Sequence, residues 1–371
     1  MKEVPDKVVE YRPYFCNSCG ETLENETALL ASRKQEIELP PIIPQYIEHQ
    51  SYSCCCKKCG FTTISELPKR LLGNIQYGTT IGAWVAYFSV RQYISYQRIA
   101  ELMKNCFNLS LSQGTIDNML CALTEKANTI YGQIQKRIEQ SSVVGGDETG
   151  IKIKGKKGWL FVFQTTLLTF LSVSFSRGYD AILSVFKNGF PISIYVSDCL
   201  PAQLKIRAKL HQICLAHLLR ELNNFMEAFN CEWSSQMKKL LQAAIQLKTQ
   251  LRQEDYLSPN EKVLLIHEQL HSLLNADFSN RHKKVQTFIR RLQKNNQFIL
   301  TFLYHPKVPP DNNGSERAIR TAKVKMKVSG QFQTIAGAHR FAVLRSIIDT
   351  TIKNSQNVLA ALCQLPNLAA E

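Results

Sequence analysis

Three acidic residues stand where a divalent cation could be held. Asp147 lies in Gly145-Gly146-Asp147-Glu148-Thr149-Gly150, inside an alternating segment from Val143 to Ile153. Asp198 follows directly on the apolar strand pattern Ile192 to Val196, and Glu316 opens a helical pattern after the break His305-Pro306-Lys307-Val308-Pro309-Pro310. Three carboxylates without a histidine form a hard oxygen donor set that suits Mg²⁺, which keeps several of its waters. Two such ions about 3.5–4 Å apart stabilise the attacking and leaving oxygens of phosphoryl transfer. Each acid also has a plain structural reading. Asp147 can form a turn, Asp198 can cap the next helix, and Asn313-Gly-Ser-Glu316 matches a capping box.

A second chemistry is written in the cysteines. Phe15-Cys16-Asn17-Ser18-Cys19-Gly20 and Cys56-Lys57-Lys58-Cys59-Gly60 are two Cys-x-x-Cys-Gly knuckles. Two intervening residues let both thiolates of a knuckle bond one ion from a tight turn, and the glycine relieves that turn. Cys16, Cys19, Cys56 and Cys59 would close a structural Zn²⁺ site and leave no position for catalysis. Cys54 and Cys55 leave the register of the second knuckle open. A further pair, Cys214 and His217, sits three apart on one helix face. Its plain reading is a buried thiol and a satisfied histidine, its functional alternative the positioning of substrate DNA or of the core, and two ligands are too few for zinc.

Cations follow the third acid. Glu316, Arg320, Lys323 and Lys327 recur at helical spacing, Arg317 and Lys325 widen the stripe, and no acid intervenes. Such a one-sign face suits DNA phosphates. Arg281 to Lys294 is a second, weaker basic helix. The whole chain has 45 Lys and Arg against 30 Asp and Glu, a net charge of +15, which favours a polyanionic partner.

The elements that must position these groups fall into stretches. The 371 residues, 44% hydrophobic and 20% charged, describe an ordinary globular chain and not a disordered one. Residues 1–66 hold the knuckles. Residues 67–140 read as helical, with an apolar run from Ile75 to Arg91, a helix Tyr96 to Lys104, and a second over Gln113 to Leu123 capped by Ser112. The last two resemble a helix-turn-helix. Residues 141–198 read as three antiparallel strands (Val143 to Ile153, Trp159 to Gln164, Leu167 to Phe175), a helix from Tyr179 to Phe186, and a fourth strand. A normal crossover would set the first and fourth strands side by side, bringing Asp147 to Asp198. Residues 199–371 read as almost wholly helical, divided at about residue 305.

No membrane span is expected. Met1 to Glu10 carries charges of both signs and no apolar signal core. The most apolar stretch, Leu160 to Phe175, is interrupted by Gln164 and several hydroxyl residues and is shorter than the roughly 20 residues a spanning helix needs.

Together these residues resemble the transposases of the IS66 insertion-sequence family, a DDE group. The matching stretches are GDETG around Asp147, YVSDCLPAQ around Asp198, HQICLAHLLREL (His211 to Leu222), and DNNGSERAIRTAKVKMKVSGQFQT (Asp311 to Thr334), with the two knuckles matching the family's zinc-finger segment. Leu215 departs from the aromatic commonly found there. The resemblance implies an α/β RNase H-like catalytic core with a large helical insertion, 199–305. A zinc-ribbon-like domain, 1–66, and a helical linker, 67–140, would precede the core, whose first part is 141–198 and whose C-terminal helices, 306–371, carry the glutamate. It implies catalysis by Asp147, Asp198 and Glu316 with Mg²⁺ or Mn²⁺, to which the cationic stripe of Arg317, Arg320, Lys323, Lys325 and Lys327 would add DNA contact. DNA at the element ends and target would be the partner, met by a homodimer or larger assembly in the cytoplasm, at the nucleoid, with helper proteins of the same element. The competing readings are a hydrolytic RNase H-like nuclease and an inactive, transposase-derived DNA-binding protein.

Overall fold

The structure, a computed structural model, describes residues 2–366 apart from Lys69, Arg70, Leu72, Asn74 and Ile75. The start of the expected apolar run at Ile75 therefore lies outside the described residues. The chain opens with a small antiparallel hairpin, β1 (Ser53–Cys55) on β2 (Thr62–Ile64). Helices α1 (Thr79–Ala86, continued as a π-helical turn over Tyr87–Arg91), α2 (Tyr96–Phe107) and α3 (Gln113–Glu139) follow. Ser112 does cap α3: its hydroxyl accepts from the Thr115 N–H at 3.0 Å. That helix is far longer than its sequence signal. It buries Ile116, Leu120, Leu123, Ala127, Ile134 and Ile138 and packs on α1 and on the late helix Ile335–Lys353, so the second helix of the expected pair is chiefly a core helix.

The centre is a five-stranded mixed sheet of β3 (Val143–Ile153), β4 (Lys156–Gln164), β5 (Thr169–Ser174), β6 (Phe190–Ser197) and β7 (Ala208–Ile213), in the order β5-β4-β3-β6-β7. β3, β4 and β5 form an antiparallel meander, while β3–β6 and β6–β7 are parallel. The β3–β4 turn is closed by Lys154 at φ 46° and Gly155 at φ 76°, the left-handed pair that matches strand twist in a two-residue hairpin. α4 (Tyr179–Leu183) crosses from β5 to β6, and α5 (Pro201–Leu204) from β6 to β7. The first and fourth strands are indeed neighbours.

β7 corrects the expectation of an almost wholly helical chain beyond residue 198. Its six residues include Lys209, His211 and Gln212, so its apolar content is too low to announce a strand. Polar groups secure it instead. The buried Gln212 amide donates to the Ile299 carbonyl at 3.0 Å and accepts from the Phe302 N–H at 2.8 Å; Thr301 Oγ1 donates to the His211 carbonyl at 2.7 Å. The sheet edge is thereby covered.

The remaining chain is helical: α6 (Leu215–Phe229), α7 (Glu232–Gln250), α8 (Glu261–Asn275), α9 (Lys283–Lys294), α10 (Thr301–Tyr304), α11 (Asn313–Ser329), α12 (Ile335–Lys353) and α13 (Val358–Gln364). Two apolar cores result. One joins most of the sheet to α1–α3, α11 and α12; the other joins α6–α9 to Ile194, Val196 and Ile213. β6 lies between them, with Tyr195 in the first core and Ile194 and Val196 in the second. No described helix is long and apolar enough to cross a membrane, and the apolar stretch Leu160 to Phe175 forms β4 and β5.

Candidate active site

Strand register decides where the two aspartates stand. Gly145 of β3 pairs with Val196 of β6, the last pair of that parallel ladder. Asp147 lies two residues further along β3 and Asp198 two residues further on, just past the end of β6, so both follow the same end of that ladder on neighbouring chains. Asp147 Oδ1 accepts from the Glu148 N–H at 2.8 Å, and Asp198 Oδ1 accepts from the Leu200 N–H at 3.0 Å, a local turn just before α5.

The third acid arrives on α11, which is seated on β3 by a polar lock. Asn312, 3% exposed, donates from Nδ2 to the Gly146 carbonyl at 2.7 Å and accepts from Ser315 Oγ at 2.7 Å. Only a strand without side chains at these points admits such an approach. A Cβ on Gly145 would crowd Asn312 and Ser315, and one on Gly146 would overlap the buried Tyr195 ring. The glycine pair before Asp147 therefore serves close packing on both faces of β3.

Glu316 does not close the capping box that its sequence suggested. The helix is capped one residue earlier, at Asn312, whose side chain is committed elsewhere. The Glu316 carboxylate turns to α6, where it accepts from Arg220 Nη2 at 2.7 Å and lies 3.6 Å from His217 Nδ1. Burial pushes the Asp147 carboxyl up to about 7, helped by the charges of Glu148, Asp198 and Glu316 and opposed by the Glu148 N–H. The three carboxylates are thus electrostatic neighbours. Among the described residues, though, the one group of three Cys, His, Asp or Glu ligand atoms within 4.8 Å of one another is Cys214, His217 and Glu316.

Glu148 is a residue the sequence reading passed over. Its side chain is 1% exposed, accepts from Arg177 Nη2 at 2.7 Å and from Gln203 Nε2 at 2.7 Å, and Gln203 in turn accepts from the Tyr195 hydroxyl. Arg177 also lies over the Trp159 ring, 4.6 Å from its centre. This network ties β3, β6 and α5 together behind Asp147. Its sequence signal was an acid beside another acid in a strand, one facing each side.

On α11, Arg317, Arg320, Lys323 and Lys327 are exposed as the stripe requires. Lys325 is not: it is half-buried, and burial lowers its pKa, because it falls on the helix flank that meets the core. The other basic helix, α9, buries Val285, Phe288, Ile289 and Leu292, and its Arg291 is taken by Glu221 at 2.6 Å. Beside α11 an open groove of about 1390 Å³ is bordered by Arg91, Arg137, Lys307, Arg317 and Lys353.

The two knuckles are built alike. In the first, Gly20 N donates to Cys16 O at 2.9 Å and Gly20 takes φ 79°; in the second, Gly60 N donates to Cys56 O at 2.8 Å and Gly60 takes φ 75°. The backbone N–H groups of Cys19 and Ser18 lower the Cys16 thiol, and those of Cys59 and Lys58 lower Cys56. Cys54 and Cys55 lie on β1, and Cys55 Sγ donates to Gly60 O, so Cys56 is the first cysteine of the second knuckle. No three of these sulfurs lie within 4.8 Å of one another. Each knuckle is a closed turn of the same form.

No curated protein matches the sequence. The family model described as "Transposase IS66 family" matches residues 74–340, a span that contains the whole sheet, all three acids and the Cys214–His217 pair. With a match over well more than half its length, the chain belongs to the IS66 family of transposases.

Proposed function

We propose that the chain cleaves and joins DNA at the ends of an insertion sequence, using Asp147, Asp198 and Glu316 on an RNase H-like core. The observation that carries this reading is the parallel register of β3 on β6, which ends two residues before each aspartate, with α11 locked against β3 by Asn312. A mixed sheet of order β5-β4-β3-β6-β7 supports the RNase H-like assignment. The Asp147 carboxyl, held up to about 7 by burial and then by neighbouring like charges, fits a site that needs a counter-cation to ionise fully. Bound Mg²⁺ or Mn²⁺ would be held by the three carboxylates and would supply Lewis-acid polarisation of the scissile phosphate.

The chain's own residues do the rest. Glu316 has to leave Arg220 by side-chain rotation to join the aspartates. Arg317, Arg320, Lys323 and Lys327 hold phosphates of the bound strand and fix its register without reading bases. Water opens the strand at the element end, and the freed 3′-hydroxyl attacks a second duplex by direct exchange of the phosphodiester. A dimer or larger assembly on paired ends, and helper proteins of the same element, belong to this reading.

The test is a purified-protein assay with Mg²⁺ on a labelled duplex carrying the element's terminal repeat, with a second duplex present. Joined products with 3′-ends transferred are expected. Hydrolysis without joining would favour a nuclease, and binding without cleavage an inactive descendant.

The knuckles are proposed to hold one Zn²⁺ through Cys16, Cys19, Cys56 and Cys59. Purified protein should carry about one zinc per chain at this site, lost on Cys16→Ser or Cys59→Ser. Unchanged zinc content in both variants would reject it.

A further inference from the structure

The Cys214–His217 pair lacked a third ligand in the sequence, and the fold supplies one. Cys214 caps α6, His217 lies in its first turn, and Glu316 reaches them from α11, with all three ligand atoms within 4.8 Å of one another. We propose that Cys214, His217 and Glu316 form a binding site for a soft or borderline divalent cation of the Zn²⁺ class, separate from the knuckles and sharing Glu316 with the aspartates.

Three observations carry this. Sulfur, nitrogen and oxygen donors are the set zinc prefers, and three protein ligands leave a fourth position for water. His217 Nδ1 is a buried ring nitrogen without a hydrogen-bond partner, 3.6 Å from Glu316 Oε1. Such an atom costs stability unless something occupies it. Finally, Cys214 is set up like the first cysteine of a knuckle. Burial raises its thiol, the N–H groups of His217, Asn312 and Ala216 act in the opposite direction, and the Asn312 N–H donates to the sulfur at 3.1 Å. The N–H groups of the second and third residues after Cys16 and Cys56 favour their thiolates too, as those after Cys214 do. Cys-x-x-His here repeats the Cys-x-x-Cys design, with α6 in place of the hairpin.

Arg220 completes the device. With no ion present it neutralises Glu316. A bound cation takes over that role and holds Glu316 on the α6 side, away from Asp147 and Asp198. The two metal sites then compete for one carboxylate.

Co²⁺ reports this directly, because thiolate ligation gives a charge-transfer band. Metal-stripped full-length protein is titrated anaerobically with Co²⁺ and compared with Cys214→Ser and His217→Asn, without DNA. The wild type should bind one equivalent more than either variant. The part of the thiolate band lost in Cys214→Ser should persist when Cys16 and Cys56 are replaced by Ser. Serine at 214 keeps an acceptor for the Asn312 N–H, and the partly exposed His217 gives a second variant should the first not fold. Equal Co²⁺ stoichiometry and superimposable spectra in wild type and His217→Asn would overturn the proposal. Because no cleavage is measured, that failure is distinct from failure of the transposase reading.

Discussion

Asp147→Asn, Asp198→Asn and Glu316→Gln should each lower Mg²⁺-dependent DNA cleavage on the order of 10³-fold or more, about 4 kcal/mol of lost transition-state stabilisation. Each substitution keeps size and shape and removes one negative charge. In Asp198→Asn the new amide still offers an oxygen to the Leu200 N–H, and in Asp147→Asn it still offers one to the Glu148 N–H, so both local turns survive. Glu316→Gln loses only the ionic part of the bond to Arg220, at a partly exposed pair whose worth to folding is small. DNA affinity should hold within a few-fold, because the exposed cations of α11 are untouched and removing an acid beside them does not weaken phosphate contact. The check is single-turnover cleavage beside a binding titration at one fixed salt concentration. A variant of any of the three that cleaves at near wild-type rate would remove that residue from the proposed triad.

Much of this arrangement was legible because it is local. Alternation from Val143 and the Ser112 cap are short-range signals, and β3 and α3 start where they say. Adjacency of β3 and β6 followed from one general rule about crossovers. What stayed hidden depends on contacts distant in sequence. β7 owes its place to Gln212, whose partners lie 87 and 90 residues on, so no periodicity marks it. Glu316 offered a convincing local partner in the capping box, yet its actual partner, Arg220, is 96 residues away. The same fold step that breaks the capping box assembles the Cys214–His217–Glu316 group. Lys325 illustrates the converse error: a stripe counted along the chain says nothing about which flank the core covers. Family resemblance reached the acids by motif, but their mutual geometry had to come from strand register.

Asp147 should also make the metal-free protein less stable as pH rises, and its replacement should cure this. In the fold its pKa is raised from the ordinary 3.8 to about 7, with burial the main cause. Below pH 3.8 the carboxyl is protonated whether the chain is folded or not, and nothing is lost. Between 3.8 and about 7 the unfolded chain gives up the proton while the native one keeps it, so the unfolded state binds fewer protons and stability falls with pH. The loss levels off above about 7. Its ceiling is about 4 kcal/mol, reduced by the part of the carboxyl that still meets water. Asp147→Asn removes the titrating group, so its stability advantage over wild type should be small near pH 4 and largest above about pH 7. Denaturant melts of both proteins in chelator across this range measure the difference. Mg²⁺ should narrow the gap at about pH 8 by stabilising wild type, with little effect on the variant. A substitution that abolishes cleavage would then be one that steadies the fold, as expected where a buried acid is kept for function rather than stability. Parallel pH profiles for the two proteins would mean that Asp147 ionises freely in the native state, and that the aspartates do not need a cation between them.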